Sequence, residues 1–510
     1  MKRKRSLISA FLSVATLLAV GFMPPTVEAA SPAVEEEWFV MLNGEDRIGY
    51  LHSTEATAPN GDITSTETVK IVMARAGTRI EIAVGSEFVE TADGEPIRAS
   101  SSLNMGGVPI VTEVEFGEKA MKVTSGQAGR TTTKMQRPIE GDWLPPAAMA
   151  RYVEEQLAAG AEQITTRTLD VTSGLKPIEM TMRVQGREDV EVYGKVVPAI
   201  AWDATVSAMP GITLREYVDE EGNSIKSTIA LMPGMELTVL KADKVLALSE
   251  LTPAEMMAQT FVVPSRPIEN PRELTGAVYR LKTKDGRPLT DLPLVGQQQV
   301  LSDGRSAVAA VGMIEEPLVV IDTERYLTAS AVLNHEDPAV KKWLEPLASM
   351  SFVTPAAEPI AEWLRQTVYE KIDSKDLSVG FATASDVART KQGDCSEHAV
   401  LLAALLRGAG IPSRCVSGLI YADQFAGHEG IFGYHMWTQA WIADADDPTK
   451  GRWVDFDATL PGGVRSDATH IALSVSDMND GLIGNDMAAL LPLLGNLEIE
   501  VVETTYDDTP

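Results

Sequence analysis

The chain has 510 residues, with 44% hydrophobic and 23% charged side chains and a formal net charge of −28. That length exceeds what one compact core holds, so two to four domains are expected, and the apolar share excludes a disordered chain. So large an excess of carboxylates repels phosphates and anionic lipid, which argues against nucleic-acid binding and a membrane-surface role.

Taken in chain order, Lys2, Arg3, Lys4 and Arg5 precede an uncharged apolar run from Leu7 to Met23, then Pro24-Pro25 and Val27-Glu28-Ala29 before Ala30. A basic start, an apolar run and a small-residue cleavage site read as a signal peptide over 1–29, cut after Ala29. No cysteine follows the run to take a lipid, and no other segment reaches membrane-spanning length. The expectation is export to the periplasm or exterior, with no membrane attachment after cleavage. In an oxidising compartment Cys395 and Cys415 could pair as a disulfide. Cys415, within the strand-like Arg414–Gly418, reads rather as a small buried hydrophobe.

Residues 30–249 are expected to form a large antiparallel β-rich domain. Strand-like runs lie at 38–42, 48–52, 66–74, 78–88, 110–116, 190–206, 212–218 and 225–240, with turn signals at Asn43-Gly44, Asp93-Gly94 and Glu221-Gly222-Asn223. One helix is expected over 146–159, opened by Pro145-Pro146, with Met149, Tyr152, Val153 and Leu157 along one side. No catalytic constellation falls in this region. Pro253, Pro264, Pro267 and Pro271 mark 250–272 as a linker. A smaller β-rich segment follows at 273–335, an α+β domain at 336–475, and a C-terminal extension at 476–510 with a Leu-rich stretch near 488–494 and a strand-like run from Leu497 to Val502. Within the α+β domain, Glu358-Pro359 begins a helix with Trp363, Leu364 and Val368 on one face, and Ser385 is placed to cap a short helix before Gly393.

The chemistry concentrates in Gly393-Asp394-Cys395-Ser396-Glu397-His398-Ala399. Asp394 as N-cap and Glu397 three residues later have the spacing of a capping box. Cys395 is then the first helical residue, its sulfur facing unpaired N–H groups and the positive end of the helix dipole, which favour a thiolate. From Ala399 to Leu406 the helix is apolar all round, as a buried helix is. The run His435 to Ile442 alternates like a strand, with His435, Trp437, Gln439 and Trp441 on one face. After a turn at 444–451, Trp453 to Asp457 returns antiparallel beside it, and both Asp455 and Asp457 point to one side. A thiol, an imidazole and a carboxylate so arranged make a nucleophilic site in which Cys395 attacks, His435 moves the proton and one Asp orients His435. His398 points down the helix shaft, away from this chemistry. Asp444, Asp446 and Asp447 lack the glycine and terminal glutamate of an EF-hand and read as a solvated turn, and Trp437, Trp441 and Trp453 read as core.

These residues resemble the transglutaminase-like superfamily of papain-fold thiol enzymes. The matching pieces are Gly393-x-Cys395-x-Glu397-x-Ala399, Arg407-x-x-Gly410-Ile411-Pro412-x-Arg414-x-Val416-x-Gly418, His435-x-Trp437 and Trp453-Val454-x-Phe456-Asp457-x-Thr459. The likeness covers about residues 355–465. It implies a Cys-bearing helix packed on an antiparallel sheet that carries the His and Asp. It places the catalytic carboxylate on Asp457, although Ala458 stands where the family has Pro. It also implies acyl chemistry on amide bonds of a protein or peptide through a thioester on Cys395, by a cysteine-dependent amide hydrolase or a protein-glutamine acyltransferase. No metal or organic cofactor is required. The competing expectation is a catalytically silent binding or assembly module of the cell envelope.

Overall fold

The computed structural model describes residues 34–75, 77–104, 109–127, 130–169, 171, 175–207, 212–220, 222–232, 235–255, 257–289, 292–313, 316–350, 357–373, 381–478 and 490–506. The signal-peptide stretch lies outside these residues, as does part of the Leu-rich stretch near 488–494. The chain divides into two compact units, Met1–Glu255 and Met256–Pro510. It is mostly β, with a large N-terminal antiparallel sheet. No described helix is long and apolar enough to cross a membrane.

The first unit is built on one 15-stranded sheet. Its strands pair antiparallel in long hairpin series, and Val34–Asn43 against Met235–Ala242 joins the two series. Among the described strands of this sheet, Ala254–Glu255 alone pairs in parallel with another strand, Ile63–Arg75, and Leu144 makes an isolated parallel bridge to Thr168. The first hairpin pairs Asn43 with Asp46, and Gly44 takes the left-handed turn position at φ 62°. The helix forms over Pro146–Ala158 and buries Ala147, Met149, Ala150 and Val153.

The strand-like run 190–206 proves to be two strands, Ile178–Val192 and Lys195–Val206, joined at Tyr193-Gly194, both with positive φ (51° and 73°). Tyr is an unusual residue for that position, so the sequence carries only half of the usual two-residue hairpin signal. The Ser- and Thr-rich strands Pro96–Asn104, Met121–Gln127, Arg130–Gln136 and Gln163–Thr168 carry no strong alternation and escape a reading by pattern.

The second unit runs in chain order through Leu274–Thr283 (β1), Gln298–Ser302 (β2), Ser306–Val311 (β3), Ala357–Lys371 (α1), Ala384–Thr390 (α2), Cys395–Gly408 (α3), Ser413–Phe425 (β4), His428–Ala443 (β5), Gly451–Phe456 (β6), Ile471–Ser476 (β7) and Leu497–Tyr506 (β8), with shorter turns of helix between. Two four-stranded antiparallel sheets result, ordered β2-β3-β1-β8 and β6-β5-β4-β7. They share one apolar core in which Tyr279, Leu281, Ile499 and Val501 of the first meet Leu419, Tyr421, Phe432 and Ile471 of the second. Helix α3 is buried nearly throughout. Its backbone is tied to β5 by Thr438 Oγ1 donating to the Ala399 carbonyl (2.9 Å) and to β4 by Ser413 Oγ donating to Ala403 (2.7 Å). The cap of α2 is Thr383 rather than Ser385, which is the second residue of the helix.

Candidate active site

The site is built around the start of α3. Asp394 accepts from the Ser396 N–H (3.1 Å), and Glu397 accepts from the Asp394 N–H (2.9 Å), completing the capping box that the spacing implies. Glu397 also takes the Ala382 N–H (2.8 Å), tying the segment ahead of α2 to the helix start. Burial, reinforced by Asp394, pushes the Glu397 carboxyl up to about 8. Gly393 sits at φ 143°, and a Cβ there would overlap the Glu397 side chain, so only glycine lets the chain turn into this cap.

Cys395 is half-buried at the first helical position, and both it and Cys415 are free thiols, so no disulfide joins them. Cys415 is buried in β4, which pushes its thiol up to about 12.

His435 lies on β5, opposite Gly418 of β4. A Cβ on Gly418 would overlap the Ile471 carbonyl, so the glycine of the β4 motif keeps β7 close behind the His435 position. His435 Nε2 donates to Asp457 Oδ2 at 2.7 Å, and the Cys395 side chain is near enough to the same ring to favour its charged form. With Nε2 engaged by the carboxylate, Nδ1 is the nitrogen left for sulfur. Burial alone would lower the basicity of this ring. Asp457 and Cys395 outweigh it and raise the ring to about 9.

Register decides between the two aspartates. Asp455 pairs directly opposite Gln439, and its Oδ1 accepts from the Trp437 indole N–H (2.6 Å) and from Gln439 Nε2 (2.8 Å). Asp457, just past the strand end, falls nearer His435 along β5. Its other oxygen, Oδ1, accepts from the Thr459 N–H and hydroxyl, each at 2.7 Å. Burial works against the charge of Asp457, but His435 and His470 hold its carboxyl well below the usual range. Arg365 of α1, fully buried, donates to the carbonyls of Asp457 (3.3 Å), Leu460 (2.8 Å) and Gly462, and so pins the loop that carries the carboxylate.

His470 was not among the residues that the sequence singles out. Its Nε2 lies 3.1 Å from the same Asp457 Oδ2. The signal was present only as Asp467-x-x-His470 ahead of a strand, a pattern with no fixed meaning. His435, Asp457 and His470 offer ligand atoms within 4.8 Å of one another, a spacing that one cation could share. In the arrangement described, both Nε2 atoms instead aim at one carboxylate oxygen.

The remaining sequence candidates lie elsewhere. His398 is buried along α3 with Nδ1 on the Asp394 carbonyl at 2.6 Å. Asp444 accepts the N–H groups of Asp446 (3.0 Å) and Asp447 (2.9 Å), closing the turn. Trp437, Trp441 and Trp453 are buried, and Arg414 stacks on Trp453 with its guanidinium 4.0 Å from the ring centroid.

Residues 346–458 match the family model of the transglutaminase-like superfamily. The chain carries a transglutaminase-like domain. That match includes Cys395, His435 and Asp457 and stops short of His470. No curated protein matches the chain. Among solved structures, similarity extends to a β-barrel-like protein of a domain of unknown function from Brucella abortus, at 9% identity over 42% of this chain and 98% of that one, TM-score 0.31. It extends also to a candidate cysteine protease from Cytophaga hutchinsonii, at 15% identity over 46% of this chain and 89% of that one, TM-score 0.27. A third is the periplasmic domain of TgpA from Pseudomonas aeruginosa, at 17% identity over 42% and 87%, TM-score 0.24. These are weak likenesses, and what the transglutaminase-like domain can do is read from its own atoms.

Proposed function

We propose that the protein is an exported thiol enzyme that acts on amide bonds of proteins or peptides. The observation that carries this reading is the His435 ring, which engages the Asp457 carboxylate through Nε2 and has Cys395, at a capped helix start, as its other electrostatic partner. In the proposed reaction His435 takes the thiol proton and the Cys395 sulfur attacks the amide carbonyl. The backbone N–H of Cys395, at the helix start, is aimed to stabilise the oxyanion that forms. As the tetrahedral intermediate collapses, the C–N bond breaks and the amine leaves with the proton from His435, giving a thioester. Water, or a second amine, then gives its proton to His435 and attacks the thioester, returning the thiol. Asp457 holds the ring and favours its charged form throughout.

The test uses the mature protein with a labelled amine and a peptide mixture. Amine incorporation that requires Cys395 identifies transfer, and amine-independent cleavage that requires Cys395 identifies hydrolysis. Equal turnover by Cys395→Ala protein would sink the mechanism, and no turnover by either protein would leave the silent assembly module. Export is proposed from the basic and apolar N-terminal stretch, and N-terminal sequencing of the secreted form should begin at Ala30.

A further inference from the structure

The proposed site leaves one buried group without a role. His470 is almost wholly enclosed, yet each of its ring nitrogens faces oxygen. Nε2 lies 3.1 Å from Asp457 Oδ2, while Nδ1 lies 3.0 Å from the Asp467 carbonyl, 3.3 Å from Asp467 Oδ1 and 3.3 Å from the Asp467 N–H. A neutral imidazole has one N–H and can satisfy acceptors on only one side. At Nδ1 the carbonyl is nearer than the N–H, and a second carboxylate stands beside it, so oxygens outweigh the one donor there and favour two ring N–H groups, an imidazolium. Asp467 is itself fixed, by Arg272 and by the N–H (2.8 Å) and hydroxyl of Thr469.

The other groups around His470 are compatible with a charge there. From β5, Trp437 presents an edge to it at 5.1 Å between ring centroids, and the His435 ring lies 5.9 Å away. From β6, Asp455 shares with it the lining of a small polar cavity, together with Gln298 of β2. From β1, the Tyr279 hydroxyl donates to the neighbouring Ala468 carbonyl (2.9 Å). Two carboxylates therefore bracket one ring, and Asp455 stands nearby.

We propose that His470 is a charged positioning residue, clamped by Asp467, that fixes the Asp457 carboxylate in the orientation His435 needs and offsets part of that carboxylate's pull on the His435 ring. The proposal rests on the Cys395–His435–Asp457 reading. Burial opposes charge on His470, but Asp467 and Asp457 overcome it and raise the ring to about 10, in keeping with the geometry. A positive charge about 6 Å from His435 disfavours a second one. Removing it should let His435 hold its proton to higher pH.

Iodoacetate reads this directly, because an anionic alkylating agent reacts fastest with a thiolate beside an imidazolium. In wild-type protein the rate at Cys395, located by peptide mapping, should be bell-shaped in pH, the upper limb reporting loss of the His435 proton. In His470→Gln protein, where the amide can still donate to Asp457, the upper limb should move up by about one pH unit or more. An unmoved upper limb beneath an intact wild-type bell would overturn the role of His470. A wild-type profile with no bell, unchanged by His435→Ala, would instead sink the underlying Cys–His reading. A second measurement does not depend on the His470 substitution. NMR of ring-labelled protein should find the His470 ring charged at pH 8 both in wild type and in His435→Ala. No charged ring in His435→Ala would also overturn the proposal.

Discussion

Replacing Asp457 with Asn tests the core of the site, because it keeps the shape and removes the charge. Asp457 is the leading attraction that lifts the buried His435 ring from 6.5 to about 9 against its own burial. At about 1.4 kcal/mol per pKa unit, that rise is worth about 3 kcal/mol. Without the carboxylate the burial penalty stays and the attraction goes, so the imidazolium that accompanies a Cys395 thiolate loses most of that support. Alkylation of Cys395 by neutral iodoacetamide near pH 6 should then slow by roughly a hundredfold. Cys415 is the internal control, since burial pushes it up to about 12 and keeps it protonated in wild type and variant alike. Asp455→Asn should have a much smaller effect, because that carboxylate serves Trp437 and Gln439. Wild-type alkylation in Asp457→Asn protein, or a larger loss in Asp455→Asn, would refute the assignment of the carboxylates.

Gly393→Ala should destabilise the protein by about 3 kcal/mol or more, combining a backbone region reserved for glycine with loss of the cap. Both urea unfolding and slowed Cys395 alkylation would register it. Arg365→Met should cost about 3 kcal/mol by leaving buried carbonyls at Asp457, Leu460 and Gly462 without their donor. The loss would appear as a lower urea midpoint with restored apolar volume giving no rescue. Stability should also fall as pH rises from about 6.5 to 10. His435 and His470 are raised to about 9 and about 10, so the stability they contribute is full below 6.5 and is lost as pH passes those values. Glu397, raised from 4.5 to about 8, acts in the same sense from a lower pH. A urea midpoint that climbs across that window would contradict the charges assigned to these groups.

Local chemistry was legible where neighbouring residues make the structure. The capping box at Asp394 and Glu397 and the alternation that puts His435 on a strand need only a few consecutive positions. The choice between Asp455 and Asp457 needed register. Periodicity puts both on one side, and the pairing of Asp455 with Gln439 is what separates them. Longer-range pairing left even less trace. β8 joins β1 across more than two hundred residues of chain, with Leu281 opposite Ile499, and no local pattern foretells that. His470 was invisible for a related reason. It lies beyond the segment that matches the superfamily, and only the fold of the loop after β6 brings it to Asp457.

The resulting order of groups has a consequence for the thiol. From the interior outward run Asp467, His470, Asp457, His435 and Cys395, carboxylate alternating with imidazole until the sulfur. Each charge has an opposite neighbour, so a buried carboxylate can stay ionised beside a ring that must gain and release a proton. Asp457 alone would hold the His435 proton tightly, and an imidazolium that keeps its proton is a poor acid for a leaving amine. A positive ring on the far side weakens that grip without removing the carboxylate. Asp457 and His470 thus act in opposite senses on one ring, and the upper pH limb of Cys395 reactivity should respond to both: down on loss of Asp457, up on loss of His470.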